Sequence, residues 1–308
     1  MKRLFFIGCA VCALIFSGCA SFESDEILLN VATFNMRCDL EGNKIWKGAW
    51  NLRKAMIAQM LLERDMDIVA SQELYVHQMD DLKKELAGKY DYVETQSLLA
   101  FDPKLIDGRN RPAADDCEIR MHNAIWYKAS RFSVLEKGSF YLSSTPEKMS
   151  FGFEPNAQCR RCVWAKFEEL ASGKVFYVFN VHSDWENRKS RVASNDLIMR
   201  KISDIAGGET VFLAGDFNDG TSESANMFKD IGRFFDSREI SKSDPYGPYA
   251  TFHNWGTNDM KNPENRLDYI FVKGKIRVIS YGVLSDTNGV IYPSDHYPIL
   301  IKTEVKIN

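Results

Sequence analysis

The stretch Thr210-Val-Phe-Leu-Ala-Gly-Asp-Phe-Asn218 decides how this chain is read. Thr210–Ala214 is a short apolar run, the pattern of a buried strand, and it passes straight into the polar turn Gly215-Asp216-Phe217-Asn218. Polar side chains at the end of such a strand lie on one rim of a sheet, where they can converge with others.

Working outward, the same strand-then-polar pattern recurs at Asn35, after the run Ile27–Phe34, at Glu73 in Ser71-Gln-Glu73, at His182 in Asn180-Val-His182, and at Asp295-His296 before Tyr-Pro. Asp268 in Arg266-Leu-Asp-Tyr269 opens a strand and is placed to face the same rim. Singly, each has a bland explanation as a turn cap, a first-turn helix acid, a satisfied histidine or a surface ion pair. Their joint occurrence, in order, is what points to a site.

Between these points lie helical periods over Asn51–Arg64 (apolar at Leu52, Met56, Ile57, Met60 and Leu61), about 77–87 and Asn187–Ile205. Asn123–Lys128 and Phe132–Leu142 read as neighbouring strands, and Val163–Leu170 with Val175–Val181 as a hairpin across Ala171-Ser-Gly-Lys174. Further strands are expected near 90–97, 269–272, 276–285 and 298–305, and Phe101–Cys117 reads as a polar surface loop. No linker or repeat divides the pattern, so one α/β domain with two central sheets flanked by helices is expected over residues 27–308.

Lys2 and Arg3 precede the apolar run Leu4–Phe16 and then Ser17-Gly18-Cys19, the layout of a secretory signal whose run is shorter than the roughly 20 residues of a membrane span. Small residues before Cys19 resemble a bacterial lipobox, with Phe16 standing where that motif usually has Leu. Residues 1–18 are therefore expected to be a signal peptide, lipidated Cys19 the membrane anchor, and 19–26 a tether. The catalytic part is expected outside the cytoplasm, at the outer membrane or the periplasmic face. Cys38, Cys117, Cys159 and Cys162 remain, with three full pairings allowed and none chosen by sequence. Cys159-Arg-Arg-Cys162 has no second ligand pair for structural zinc.

Net charge is −3, or −5 without residues 1–18, so nothing pulls nucleic acid electrostatically as a whole; nucleic acid is expected as a substrate at most, and the protein as a monomer. Among Arg109, Arg111, Arg160, Arg161, Arg188 and Arg191 most are read as solvated surface, with a local phosphate-binding rim as the alternative.

Phe34-Asn35, Gln72-Glu73, Asn180-Val-His182, Gly215-Asp-Phe-Asn218, Arg266-Leu-Asp-Tyr269 and Ser294-Asp-His-Tyr-Pro298 stand in the order that resembles the endonuclease/exonuclease/phosphatase (DNase I-like) superfamily, over about residues 27 to 306. The resemblance implies a four-layer α/β sandwich and a metal-dependent phosphoesterase acting on nucleic acid, a phospholipid head group, or a sugar or inositol phosphate. It implies Glu73, Asn35 and Asp295 as ligands of Mg²⁺ or Mn²⁺. It further implies Asp216 as the group that deprotonates water, Asn218 and His182 as donors to the phosphoryl group, and His296 as a phosphate contact kept protonated by Asp268. Arg37, in a DNase I-like version of the first motif, is implied to bind substrate. Tyr127 is read as a core aromatic, with a site role as the alternative, and His253 as either structural or within reach of substrate. The alternative is a binding lipoprotein on an inactive scaffold, which predicts loss of at least one of these residues; all are present.

Overall fold

The computed structural model describes residues 26–39, 48–94 and 121–306. The signal segment, Cys19, the tether up to residue 25, the loop 101–117 with Cys117, and Arg109 and Arg111 lie outside the described residues.

Two six-stranded mixed sheets form the centre. Their strands are β1 (Glu26–Asn35), β2 (Ile68–Leu74), β3 (Tyr90–Glu94), β4 (His122–Lys128), β5 (Phe132–Tyr141), β6 (Arg161–Glu169), β7 (Lys174–His182), β8 (Val211–Asp216), β9 (Phe235–Asp236), β10 (Asp268–Lys273), β11 (Ile276–Val283) and β12 (Ile299–Lys306). One sheet runs β11-β12-β1-β2-β4-β3 and the other β5-β6-β7-β8-β10-β9. Each has one parallel pair at its middle, β1–β2 and β7–β8, and a parallel pair needs a crossover. The crossovers carry α1 (Trp50–Glu63) and α3 (Arg188–Ala206); α2 (Val76–Glu85) and α4 (Glu223–Asp230) complete the outer layers.

Three apolar clusters make the layers cohere. Val31, Ile68, Ile125, Val163, Phe212 and Ile270 belong to the cluster between the two sheets. Ile57, Leu61, Met79 and Leu82 pack α1 and α2 on the first sheet, and Leu197, Ile198, Ile202 and Phe228 pack α3 and α4 on the second. Strands covered on both faces read as continuous apolar runs, which is why β8 was so plain in the sequence. The expected four-layer sandwich is the observed architecture.

Two local expectations fail. Strands β4 and β5 are not neighbours: β4 pairs with β2 and β3, whereas β5 pairs with β6, so the short connection after Lys128 passes from one sheet to the other. Short connections favour adjacency, but here both faces of each sheet need cover and the chain switches layers. In α1 the buried stripe is Trp50, Arg53, Ile57, Met60 and Leu61, with Leu52 exposed. An arginine thus occupies a core-facing position.

The arrangement places functional side chains directly. Asn35 ends β1 in register with Gln72 of β2, and His182 ends β7 in register with Asp216 of β8. Asp268 opens β10 opposite Asp216. The carboxyl ends of both central parallel pairs therefore meet at one rim, the usual place for a ligand crevice in such sheets.

Candidate active site

Four of the side chains at this rim are aimed by a local departure from regular structure. At Gln72–Glu73 the β2–β4 ladder shifts register, and Glu73 has φ 68°. A bulge of this kind turns a side chain out of its regular alternation, here into the rim. Arg37 (φ 56°) and Asn218 (φ 50°) are also left-handed, an unfavourable backbone for non-glycine residues that clusters at functional sites. Gly215, just before Asp216, is required sterically: a Cβ there would stand 2.0 Å from the Val181 carbonyl oxygen.

The side chains then form one buried network. Asn35 Nδ2 donates to Glu73 Oε1 and to Asp216 Oδ2, each at 3.0 Å, joining the two sheets. The Asn218 backbone N–H donates to Asp216 Oδ1 at 2.9 Å, and its Nδ2 donates to the Ser183 carbonyl. His296 Nδ1 lies 2.8 Å from Asp268 Oδ2, while its Nε2 lies 3.8 Å from Asp216 Oδ2. His182 Nε2 is 3.8 Å from both Glu73 Oε1 and Asp216 Oδ2. Arg37 bridges Glu73 Oε2 at 3.4 Å and Asp295 Oδ2 at 3.5 Å. All nine expected site residues, Asn35, Arg37, Glu73, His182, Asp216, Asn218, Asp268, Asp295 and His296, thus fall at one rim.

Burial and neighbours divide the acids and histidines into distinct protonation states. For Glu73, burial opposes ionisation, but the Arg37 charge and the Asn35 amide outweigh it and hold the carboxyl at about 2. Burial, then the charge of Asp268, pushes Asp216 up to about 7. Burial also raises Asp295. His296 is the reverse: burial disfavours its charge, yet Asp268 beside Nδ1 raises it to about 10, so it is an imidazolium at neutral pH. His182 is driven well below its ordinary value by burial and then by Arg160, so it is neutral. Its 3.8 Å approaches to the carboxylates are polar contacts between a neutral ring and acids.

Asp216, Asp268 and His296 bring three potential ligand atoms within 4.8 Å of one another. They are poorly suited to hold a metal, because protonated His296 has no free lone pair and its Nδ1–H is committed to Asp268. Glu73 and Asp295 suit a hard cation better, two carboxylates supplying oxygen ligands; Asn35 joins them only through Oδ1, which here accepts from the Arg37 N–H while Nδ2 faces Glu73. The two carboxylates already share one positive group, the Arg37 guanidinium, which shows that they face a common point.

Several supporting residues were not singled out from sequence. Arg53, wholly buried in α1, donates to the carbonyls of Gly48, Met36, Pro293 and Arg37 at 2.7 to 3.0 Å, pinning the segments that carry Arg37 and Asp295. The signal available was an arginine on the apolar stripe. Gln72 Nε2 donates to Asn180 Oδ1 at 2.8 Å, and Asn180 Nδ2 reaches the Ser71 and Ala124 carbonyls, a polar tie between the sheets below the rim. Arg160 and Arg161 are buried, contrary to the surface reading. Arg160 Nη1 lies 2.9 and 3.1 Å from the two ring nitrogens of His182; one donor cannot meet both in-plane lone pairs, so it sits over the ring. Arg266 pairs with Asp236 at 2.8 Å and stacks on Tyr269, leaving Asp268 to His296. His253 is buried against Tyr297, Phe252 backs His296, and Tyr127 packs on Phe167.

A family model described as Endonuclease/Exonuclease/phosphatase family matches residues 32–296. An endonuclease/exonuclease/phosphatase family protein from Bacteroides thetaiotaomicron is 33% identical, with a TM-score of 0.77 over 92% of this chain and 99% of that one. A mannosyl-6-phosphatase from the same organism is also 33% identical, with a TM-score of 0.75 over 89% of this chain and 99% of that one. The Ccr4 3′-5′-exoribonuclease subunit of the CCR4-Not complex from Mycosarcoma maydis is 29% identical over 85% of this chain. The chain spans about half the length of that curated relative, 47%.

Proposed function

The chain belongs to the endonuclease/exonuclease/phosphatase family, and from that premise we propose that it hydrolyses a small phosphate ester, a sugar phosphate first among substrates, with activated water. One observation carries the reading: a carboxyl whose affinity for protons is tuned to neutrality, Asp216, stands 3.8 Å from an imidazolium and is tied through the Asn35 amide to the ionised Glu73 at a single rim. A general base works best with a pKa near the working pH, and Asp216 meets that condition. The sugar-phosphate preference is supported by the 33% identity to the mannosyl-6-phosphatase across nearly both whole chains, and by the net negative charge, which disfavours a nucleic-acid track.

In this reading Asp216 takes a proton from the attacking water while the water oxygen bonds phosphorus and the ester P–O bond breaks, its electron pair leaving on the ester oxygen, which takes a proton from solvent. Asn35 and the Asn218 N–H hold the Asp216 oxygens in place. His296, oriented by Asp268, donates from Nε2 to a phosphoryl oxygen and balances charge as it grows. Neutral His182 offers a ring N–H to the phosphoryl or leaving oxygen, and Asn218 a side-chain donor. Glu73, Asn35 and Asp295 would hold Mg²⁺ or Mn²⁺, which supplies Lewis-acid neutralisation of the phosphate when bound. With a cation held there, Arg37 would turn from those carboxylates to the substrate phosphate. The extracytoplasmic, Cys19-anchored placement belongs to the same proposal; loss of lipid labelling in Cys19→Ala tests it.

The activity test uses purified full-length protein in detergent with sugar phosphates, bis-p-nitrophenyl phosphate, DNA, RNA and sphingomyelin, with Mg²⁺, Mn²⁺ or EDTA. Metal-dependent release of phosphate from a sugar phosphate, absent in Asp216→Ala, is expected. Inertness toward every ester with either metal sinks the reading.

A further inference from the structure

We propose that Arg161, in the cleft beside His182, is a binding subsite for a second anionic group, a phosphate or carboxylate borne by the substrate away from the ester that is cleaved. The cleft is a small opening whose lining includes Asn123, Arg160, Arg161 and His182. Arg161 is 95% buried, at 5% exposure. Among the described residues its guanidinium meets one carbonyl, Met121 O at 2.8 Å from Nη2, and the Tyr141 ring, while Nη1 is buried with no hydrogen-bond partner. No carboxylate among the described residues neutralises it.

A buried guanidinium without a counter-ion is an unfavourable arrangement that an anion relieves. The contrast with Arg53 is instructive. Arg53 is as deeply buried and has no carboxylate partner among the described residues, but it spends its donors on four carbonyls and so reads as structural. Arg161 has five N–H donors; one meets a carbonyl and the group also lies by the Tyr141 hydroxyl, so donors are left for a phosphate or carboxylate, Nη1 among them.

Position gives the site its meaning. His182 has Glu73 and Asp216 on one side, 3.8 Å away, and Arg160 on the other. The cleft therefore opens on the side of His182 remote from the acids, where the non-reacting part of a small ester would extend. Arg160, over the His182 ring, adds a second positive charge to the same wall. The word substrate rests on the phosphoesterase reading; the anion site does not.

Binding of inorganic phosphate to the full chain in EDTA, followed by calorimetry, separates the two. The part of the uptake that Arg161→Gln removes reports the cleft. Wild type is expected to bind one phosphate, with affinity falling about tenfold or more in Arg161→Gln. Asn123→Asp, which sets a carboxylate in the same cleft, is expected to weaken it likewise and serves if Arg161→Gln does not fold. Equal affinity in wild type and variant, or no saturable binding by wild type, overturns the subsite. In a hydrolysis arm, the kcat/KM ratio of a sugar bisphosphate to its monophosphate should fall about tenfold in Arg161→Gln. If no ester turns over while phosphate binding follows Arg161, the enzyme reading fails and the anion site stands.

Discussion

Replacing Arg53 by Met keeps most of the side-chain volume and removes every donor. In the structure Arg53 makes four bonds to carbonyls, at 2.7 Å to Gly48 and Met36, 2.8 Å to Pro293 and 3.0 Å to Arg37, and lies between the Trp50 and Trp255 rings. Hydrogen bonds from charged groups contribute about 1.5–3 kcal/mol each, so the set returns roughly 6–12 kcal/mol before costs. Against this, burial lowers the guanidinium pKa from 12.5 to about 10, which corresponds to roughly 3 kcal/mol. Carbonyls near the rim regain water in the variant, so a net loss of about 3–5 kcal/mol is expected. In a domain of this size that is a fall of about 6–20 °C in Tm. Urea unfolding at neutral pH gives the stability. Because the freed carbonyls belong to the segments carrying Arg37 and Asp295, kcat/KM should also drop by about 10²-fold, the scale of an ångström's misplacement. A stability within about 1 kcal/mol of wild type, together with unchanged kcat/KM, would refute the keystone role.

Asp216→Asn is expected to reduce kcat/KM by about 10²–10⁴-fold, while raising stability in EDTA at pH 8. The sign follows from the raised pKa: the Asp216 contribution is favourable below pH 3.8 and is lost as pH climbs through about 7, so above that its charge destabilises the fold. Thermal melts from pH 5 to 9 check this, and a variant less stable than wild type at pH 8 contradicts it. For Asp268→Asn the window differs. The raised pKa of His296 gives stability that is complete below 6.5 and lost through about 10, so the deficit of the variant should be largest at acid-to-neutral pH and shrink towards pH 10. A deficit that is flat with pH tells against the ion pair. Mg²⁺ or Mn²⁺ added to EDTA-stripped protein should raise Tm by mass action, and Glu73→Gln should abolish that rise; an undiminished rise in the variant places the cation elsewhere.

How much of this was legible in the sequence follows from the range of the forces involved. Apolar runs that end in polar residues reveal buried strands and their rims because burial on both faces demands an unbroken apolar stretch. Hence β1, β7 and β8, with Asn35, His182 and Asp216 at their ends, were readable, as was the order of motifs that fits a two-sheet sandwich. Sheet membership was not: whether β4 pairs with β5 depends on contacts distant in the chain, and adjacency misled. Arginines were the other blind spot. Local sequence treats Arg53, Arg160 and Arg161 as surface charge, since what lets a guanidinium be buried is a set of carbonyls or a ring brought from elsewhere. Protonation states likewise belong to the tertiary structure. Glu73 and Asp216 are both rim acids in sequence, yet only the Arg37 contact of one and the Asp268 neighbour of the other make the first an ionised carboxylate and the second a base poised near neutrality.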